Sequence, residues 1–248
     1  MADTPKSALI LGASGTLGGA IARELRAKGY ALGLHYHSHR EPCDALAAEA
    51  AANNSRAVCY AADFSDAAAP AALAASFLKD FQRVDALIWA AGIVRDAPLL
   101  TQKEDDLRAT LNVDLRAFFL TLKAFSRQFI KQKSGSVVAL SSHAGVAGRA
   151  GGTAYAMAHA GMLALIKSTA REWGAMGVRV NAVLPPFVPE SGMGRGASPE
   201  FAAAAMAKRA LKLESDGARA VALCVSGLLE NAVVSGQIIS ADSRITAC

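Results

Sequence analysis

Seven short apolar runs recur along the chain: SALILG, YALGLHYH, RAVCYAAD, VDALIWAAG, GSVVALSS, VRVNAVLPP and GQIISA. Each has the length and branched or aromatic content of a β-strand. Between them lie segments with helical patterning: GTLGGAIARELRAKG, CDALAAEAAANN, APAALAASFLKDFQR, the long KEDDLRATLNVDLRAFFLTLKAFSRQFIKQK, and TAYAMAHAGMLALIKSTAREWGAMG. Strands that alternate with helices at this spacing predict crossover units and a parallel sheet covered on both faces. No internal repeat, low-complexity linker or break in composition divides the chain. The expectation is one doubly wound α/β domain over residues 1–248. The least regular segment, 187–213, carries prolines and glycines ahead of the alanine-rich EFAAAAMAKRAL. Its place after the sixth strand suits a lid over a substrate.

Composition narrows the class. Hydrophobic residues make up 52% of 248, enough for a substantial core, and long alanine runs favour helix. No run reaches the roughly 18 apolar residues of a membrane span, and the start, MADTPKSALILG, lacks the pattern of an export signal. A cytoplasmic protein that does not engage a membrane is expected. The net charge of +5 is mild. Arg127, Lys131 and Lys133 gather near one helix end and would favour an acidic partner, but no dense basic cluster interleaved with aromatics points to nucleic acid. Cys43, Cys59, Cys224 and Cys248 show no ligand spacing, so free thiols are expected rather than a zinc site or disulfides. His35, His37 and His39 alternate as strand residues sharing a face, a spacing that invites a metal, but no acidic or cysteine ligand clusters with them. No metal is assigned.

The chemistry begins at ALILGASGTLGGAIARELRAKG, a strand, a glycine-rich turn and a helix. Gly12, Gly15 and Gly18 allow a tight turn and close backbone approach to a pyrophosphate, which then meets the helix amino end. Farther on, LGASGTLGGAIA, AADFSD, VDALIWAAGIVRD, GSVVALSSHAG, AYAMAHAGMLALIKSTAREW and VRVNAVLPPFV follow one another without gaps. In these motifs the chain resembles the short-chain dehydrogenase/reductases, most of all the 3-oxoacyl-[acyl carrier protein] reductase branch. The resemblance runs nearly the whole length.

That resemblance implies a nicotinamide dinucleotide. Gly12, Ser14, Gly15, Thr16, Leu17 and Gly18 would hold the pyrophosphate, Asp63 and Phe64 would flank the adenine, Ala91 and Gly92 would line the ribose, and Val188 would lie near the nicotinamide. After the second strand no acidic residue awaits a ribose 2′-hydroxyl. His37, Ser38 and Arg40 suit a 2′-phosphate, so NADP(H) is expected over NAD(H).

The resemblance also implies a catalytic set. Tyr155 would protonate a carbonyl oxygen and Ser142 would polarise it. The two remaining members differ: His159 stands at the lysine position and Asp114 at that of the relay asparagine, while Asn112, two residues earlier, points elsewhere on the helix. Lysine is a fixed cation at neutral pH, whereas an ordinary imidazole titrates near ~6.5. An Asp–His–Tyr proton chain would compensate in part. Further departures are Thr16 for the middle glycine, Trp89 and Ala90 for the two asparagines of the NNAG motif, Pro186 for a glycine, Glu190 for a threonine, and SADSRITAC where the family ends on a DGG motif.

Three readings follow. The first is an NADPH-dependent ketoreductase acting on an acyl carrier protein-linked β-ketoacyl thioester or a related small molecule. The second is a catalytically impaired member serving as partner subunit of an active homologue or as a binding protein. The third is a dehydratase or isomerase using Tyr155 and His159 as acid and base. The resemblance further implies a homo-oligomer, a dimer or tetramer built on the long helices.

Overall fold

A computed structural model describes residues 5–211 and 217–244. Seven parallel strands form one sheet in the order β3-β2-β1-β4-β5-β6-β7. They are β1 (Ser7–Leu11), β2 (Ala31–Tyr36), β3 (Ala57–Ala61), β4 (Ala86–Trp89), β5 (Gly135–Leu140), β6 (Val178–Leu184) and β7 (Ile238–Ser240). All seven fall inside the apolar runs read from the sequence. The strand order reverses between β1 and β4, and in open parallel sheets the crevice at that reversal is where ligands bind.

Alternate residues of each strand feed opposite cores. Leu9, Leu11, Leu87, Trp89 and Val137 pack with Phe77 of α3 (Ala69–Phe81), Phe118, Phe125 and Phe129 of α5 (Ala117–Gln132) and Ile166 of α7 (Thr153–Gly174). On the other face Ile10, Leu34, Ile88 and Val138 meet Ile21 and Leu25 of α1 (Thr16–Ala27), Leu46 of α2 (Glu41–Ala51) and Val221 and Val225 of α10 (Gly217–Glu230). The sequence reading contained no helix α10. Yet its buried residues Ala218, Val221, Ala222, Val225, Leu228 and Leu229 have helical spacing.

The long segment expected as one helix is interrupted. After α4 (Glu104–Thr110), residues Leu111–Arg116 form a π turn before α5 continues. A π turn adds one residue to the ladder and so shifts the phase of the apolar stripe, but Leu111, Val113 and Leu115 make this stretch apolar on more than one side and mask the shift. In the segment 187–213, expected as a lid, α8 (Gly192–Arg195) and α9 (Pro199–Ala207) are capped by Ser191 and Ser198, and residues 212 and 213 lie outside the described residues. A short α6 (Ala144–Ala147) follows β5. Among the described residues no helix is long and apolar enough to cross a membrane.

Candidate active site

The glycine turn sits at the reversal point. Gly12 adopts φ +88°, and a Cβ there would lie 2.7 Å from the Ala90 carbonyl carbon, while one on Gly18 would lie 2.1 Å from the Gly12 oxygen. Turn, helix and strand therefore touch through bare backbone. Helix α1 opens at Gly15 with no side-chain cap and no acidic residue in its first turn, which leaves its leading N–H groups to an anion. A dinucleotide pyrophosphate fits that donor set.

His35 holds this turn in place. The Gly12 N–H donates to His35 Nδ1 at 3.0 Å, and the opposite ring nitrogen donates to the Ala62 carbonyl at 3.1 Å. Ala13 N–H also donates to the His35 carbonyl. With both nitrogens engaged and the ring buried, His35 is removed from any metal set with His37 and His39, which extend past the end of β2. The three histidines thus do not form the shared face that their spacing suggests. Among the described residues no group of three or more His, Cys, Asp or Glu side chains could hold a metal ion.

Burial pushes the His35 imidazole down to about 4, with the Ala62 bond opposing and His37 adding to the decrease. The unfolded chain takes up this proton at the ordinary value, so the contribution is complete above pH ~6.5 and is lost as pH falls toward the folded value, by about 3 kcal/mol in all. Urea denaturation should show wild type losing stability between these limits more steeply than His35→Gln. Equal slopes would refute this account.

An aromatic ladder runs inward from His35: its ring stacks on Phe64 at 4.4 Å, Phe64 on Trp89 at 4.9 Å, and Trp89 meets Phe118 at 5.3 Å. This explains Trp89 in place of an asparagine, since the indole fills core between two rings. It also gives Phe64 a place that its motif does not announce: the ring is buried and packs in the core. Asp63 beside it is exposed, takes the Ser65 N–H and stands 3.7 Å from His37. The Ser65 bond, more than His37, holds its carboxyl below the usual range.

The other expected cofactor residues are placed as follows. Ser38 contacts His39, and the Arg40 guanidinium folds back onto Asp44 one helical turn ahead in an exposed and therefore weak pair. Ala91 and Gly92 follow β4 beside the π turn, where a Cβ on Gly92 would lie 3.4 Å from Asp114 Oδ1. Val188 is buried, with its side chain turned toward Gly217 at the start of α10.

The four candidate catalytic residues converge from three elements. Ser142 follows β5 and accepts the Ala144 N–H at 3.1 Å, which leaves its own proton to donate. Tyr155 and His159 lie one turn apart on α7 with ring centres 4.1 Å apart. Asp114, fully buried on the π turn, accepts the Ile93 N–H at 2.8 Å through Oδ1, while Oδ2 faces His159 Nε2 at 3.7 Å. Neither of those facing atoms has a hydrogen-bond partner among the described residues, and His159 Nδ1 lies 3.4 Å from the Ser141 hydroxyl. Asn112 lies apart from this group, taking a contact from Arg116 at 3.5 Å.

Tyr155 is held in its neutral form. Burial, then the Asp114 carboxylate, pushes the phenol up to about 12, while the Ser142 hydroxyl and the Arg149 guanidinium work against the rise. Its hydroxyl donates to the Met193 sulfur of α8 at 3.8 Å. The same segment touches the glycine turn as well, where the Thr16 hydroxyl donates to the Glu190 carbonyl at 3.3 Å. Two departures from the family pattern therefore meet each other. The changed carboxyl end has an equally local explanation: buried Asp242 accepts from Ser240 and the Arg244 N–H and pairs with the Arg244 guanidinium.

The sequence reading passed over Met193, Asp96, Arg149 and Phe201. Asp96 ends the quoted VDALIWAAGIVRD motif, but nothing in sequence ties it to Arg149, fifty-three positions away. The described thiols of Cys43, Cys59 and Cys224 are unbridged, and burial raises all three, which disfavours thiolate chemistry. Cys248 lies outside the described residues.

Comparison with known proteins agrees with this geometry. A family model described as short chain dehydrogenase matches residues 6–222. The 3-oxoacyl-[acyl-carrier-protein] reductase of Synechocystis is 37% identical over 75% of each chain. The corresponding FabG reductase of Staphylococcus aureus is 33% identical over 74% of each, and nodulation protein G of Rhizobium meliloti is 35% identical over 77% of this chain and 76% of that one. Among solved structures, an NAD+-bound xylitol dehydrogenase superposes with a TM-score of 0.88 at 26% identity, covering 96% of this chain and 98% of the other. A glycine turn at the sheet reversal, a serine at the end of β5 and a tyrosine on α7, with these relatives, make the chain a member of the short-chain dehydrogenase family.

Proposed function

We propose that this chain reduces a carbonyl with NADPH, on a β-ketoacyl thioester carried by acyl carrier protein or on a related small molecule. The observation that carries the reading is the convergence of Ser142 and a neutral Tyr155 beside the sheet reversal, with the lid resting on the phenol. Similarity to acyl carrier protein reductases supports the substrate class. His37, Ser38 and an Arg40 held only by an exposed pair support the 2′-phosphate.

A bound NADPH would supply hydride to the carbonyl carbon. Ser142 donates a hydrogen bond to the carbonyl oxygen and draws charge onto it, and Tyr155 delivers the proton there. A phenol pushed up to about 12 stays protonated at every physiological pH, so the proton to be delivered is always present. Reduction should therefore keep a protonated Tyr155 throughout, while the reverse oxidation, which needs phenolate, rises about tenfold per pH unit. His159 and Asp114 replace the lysine and asparagine of the relay, and Asp114, anchored by Ile93, directs its second oxygen at the imidazole.

The exposed apolar side chains along α5 and the π turn, with Leu111, Leu115, Phe119 and Leu165 around a shallow groove, favour a homo-oligomer, which would work in the cytoplasm. The test is fluorescence titration with NADPH and NADH, followed by NADPH oxidation against an acetoacetyl thioester between about pH 5 and pH 9. Tighter NADPH binding and turnover are expected. Binding without turnover would favour a partner-subunit role, and tighter NADH binding would overturn the cofactor choice.

A further inference from the structure

Tyr155 lies beside a position where related enzymes keep a permanent cation and this chain keeps an imidazole, which is charged only when protonated. A different permanent cation reaches the same ring. Arg149, between α6 and α7, places its guanidinium carbon 5.4 Å from the centre of the Tyr155 ring and 5.4 Å from that of Phe201 on lid helix α9. The guanidinium passes over bare backbone at Gly152, where a Cβ would lie 2.6 Å from Arg149 Nε. Arg149 Nη2 donates to both oxygens of Asp96 at 2.6 Å, and the two side chains remain 26% and 35% exposed.

The charged and titratable groups acting on Tyr155 are thus Arg149 and Asp96 from its open side, Asp114 from the π turn and His159 from its own helix, with the Ser142 hydroxyl after β5. A guanidinium keeps its charge at all working pH values. Resting on the assignment of Tyr155 as proton donor, we infer that Arg149 is the permanent cation that acts on the Tyr155 hydroxyl where relatives use lysine, and that Asp96 sets how much of its charge the hydroxyl feels. Arg149 is a positioning residue, acting through Tyr155. The stack on Phe201 ties its placement to the seated lid.

A strut that merely joins loop to lid would lose the same ion pair whichever partner was removed. Electrostatic action predicts opposite signs, and this separates the two. The protein is labelled with 3-fluorotyrosine, and the Tyr155 fluorine resonance, assigned by its absence in Tyr155→Phe, is followed against pH. Arg149→Met should lower the phenolate-to-phenol ratio at fixed pH by up to about tenfold, and Asp96→Asn should raise it by a similar factor, both reduced by solvent screening. Arg149→Lys should stay near wild type. Shifts of the same sign, or none in variants whose circular dichroism matches wild type, would overturn the inference. Should Arg149→Met fail to fold, the sign for Asp96→Asn decides alone. The titration needs no turnover, so it stands or falls separately from the proposed reaction.

Discussion

Tyr155→Phe is expected to slow carbonyl reduction by about 10²- to 10⁴-fold, the range spanned when a positioned proton donor is removed. The loss should appear in kcat, with NADPH affinity and thermal midpoint nearly unchanged. The fold depends little on the oxygen that is removed: its hydrogen bond runs to the Met193 sulfur of α8, a weak acceptor, and the ring keeps its place against His159 and Arg149. Single-turnover kinetics at saturating NADPH would isolate the step. A variant retaining more than a tenth of wild-type kcat would remove Tyr155 from the role of donor.

The second large effect lies in the pair behind it. His159 and Asp114 are both buried, and their facing atoms stand 3.7 Å apart. His159→Leu would leave the Asp114 carboxylate with the Ile93 N–H on one oxygen and an apolar wall against the other, a loss of about 3–5 kcal/mol if the pair is charged in the wild type. Guanidinium denaturation measures this directly. A reversion behaves differently. His159→Lys alone sets an ammonium against the Asp114 carboxylate, which neutralises much of the charge that Tyr155 would feel. Adding Asp114→Asn preserves the Ile93 bond through the amide oxygen and frees the ammonium. The double variant should therefore reduce substrate about tenfold faster than His159→Lys alone, and the two changes should not be additive. Equal rates for single and double variants would show that Asp114 does not act on this position.

Much of this was legible in the chain. The apolar runs locate all seven strands because a strand covered on both faces is apolar throughout, and the GxxGxxG spacing of Gly12, Gly15 and Gly18 locates the turn because only glycine tolerates the approach of Gly12 to Ala90. Ser142, Tyr155, His159 and Asp114 could be gathered because each sits in a recognisable motif. What escaped depends on contacts rather than pattern. The phase shift at the π turn is masked because Leu111, Val113 and Leu115 are apolar at alternate positions. Phe64 reads as a loop residue, and only the stack from His35 to Trp89 shows that its ring belongs to the core. Arg149 sits in a glycine-rich loop without any helical or strand context, and its meaning comes from Asp96 and Phe201, which are distant in sequence. Helix α10 was a different kind of miss, since its spacing carried the signal.

The wall of the glycine turn has a consequence for synthesis. Gly12 closes against Ala90, and β1 gains its inner neighbour only when Leu11 pairs with Trp89, roughly eighty residues later in the chain. A nascent polypeptide that has released only β1, β2 and β3 carries every glycine of the turn and the His35 clip, yet lacks the surface against which they are moulded. Affinity for dinucleotide should then emerge abruptly on the ribosome, once β4 has cleared the exit tunnel, rather than growing with each strand added.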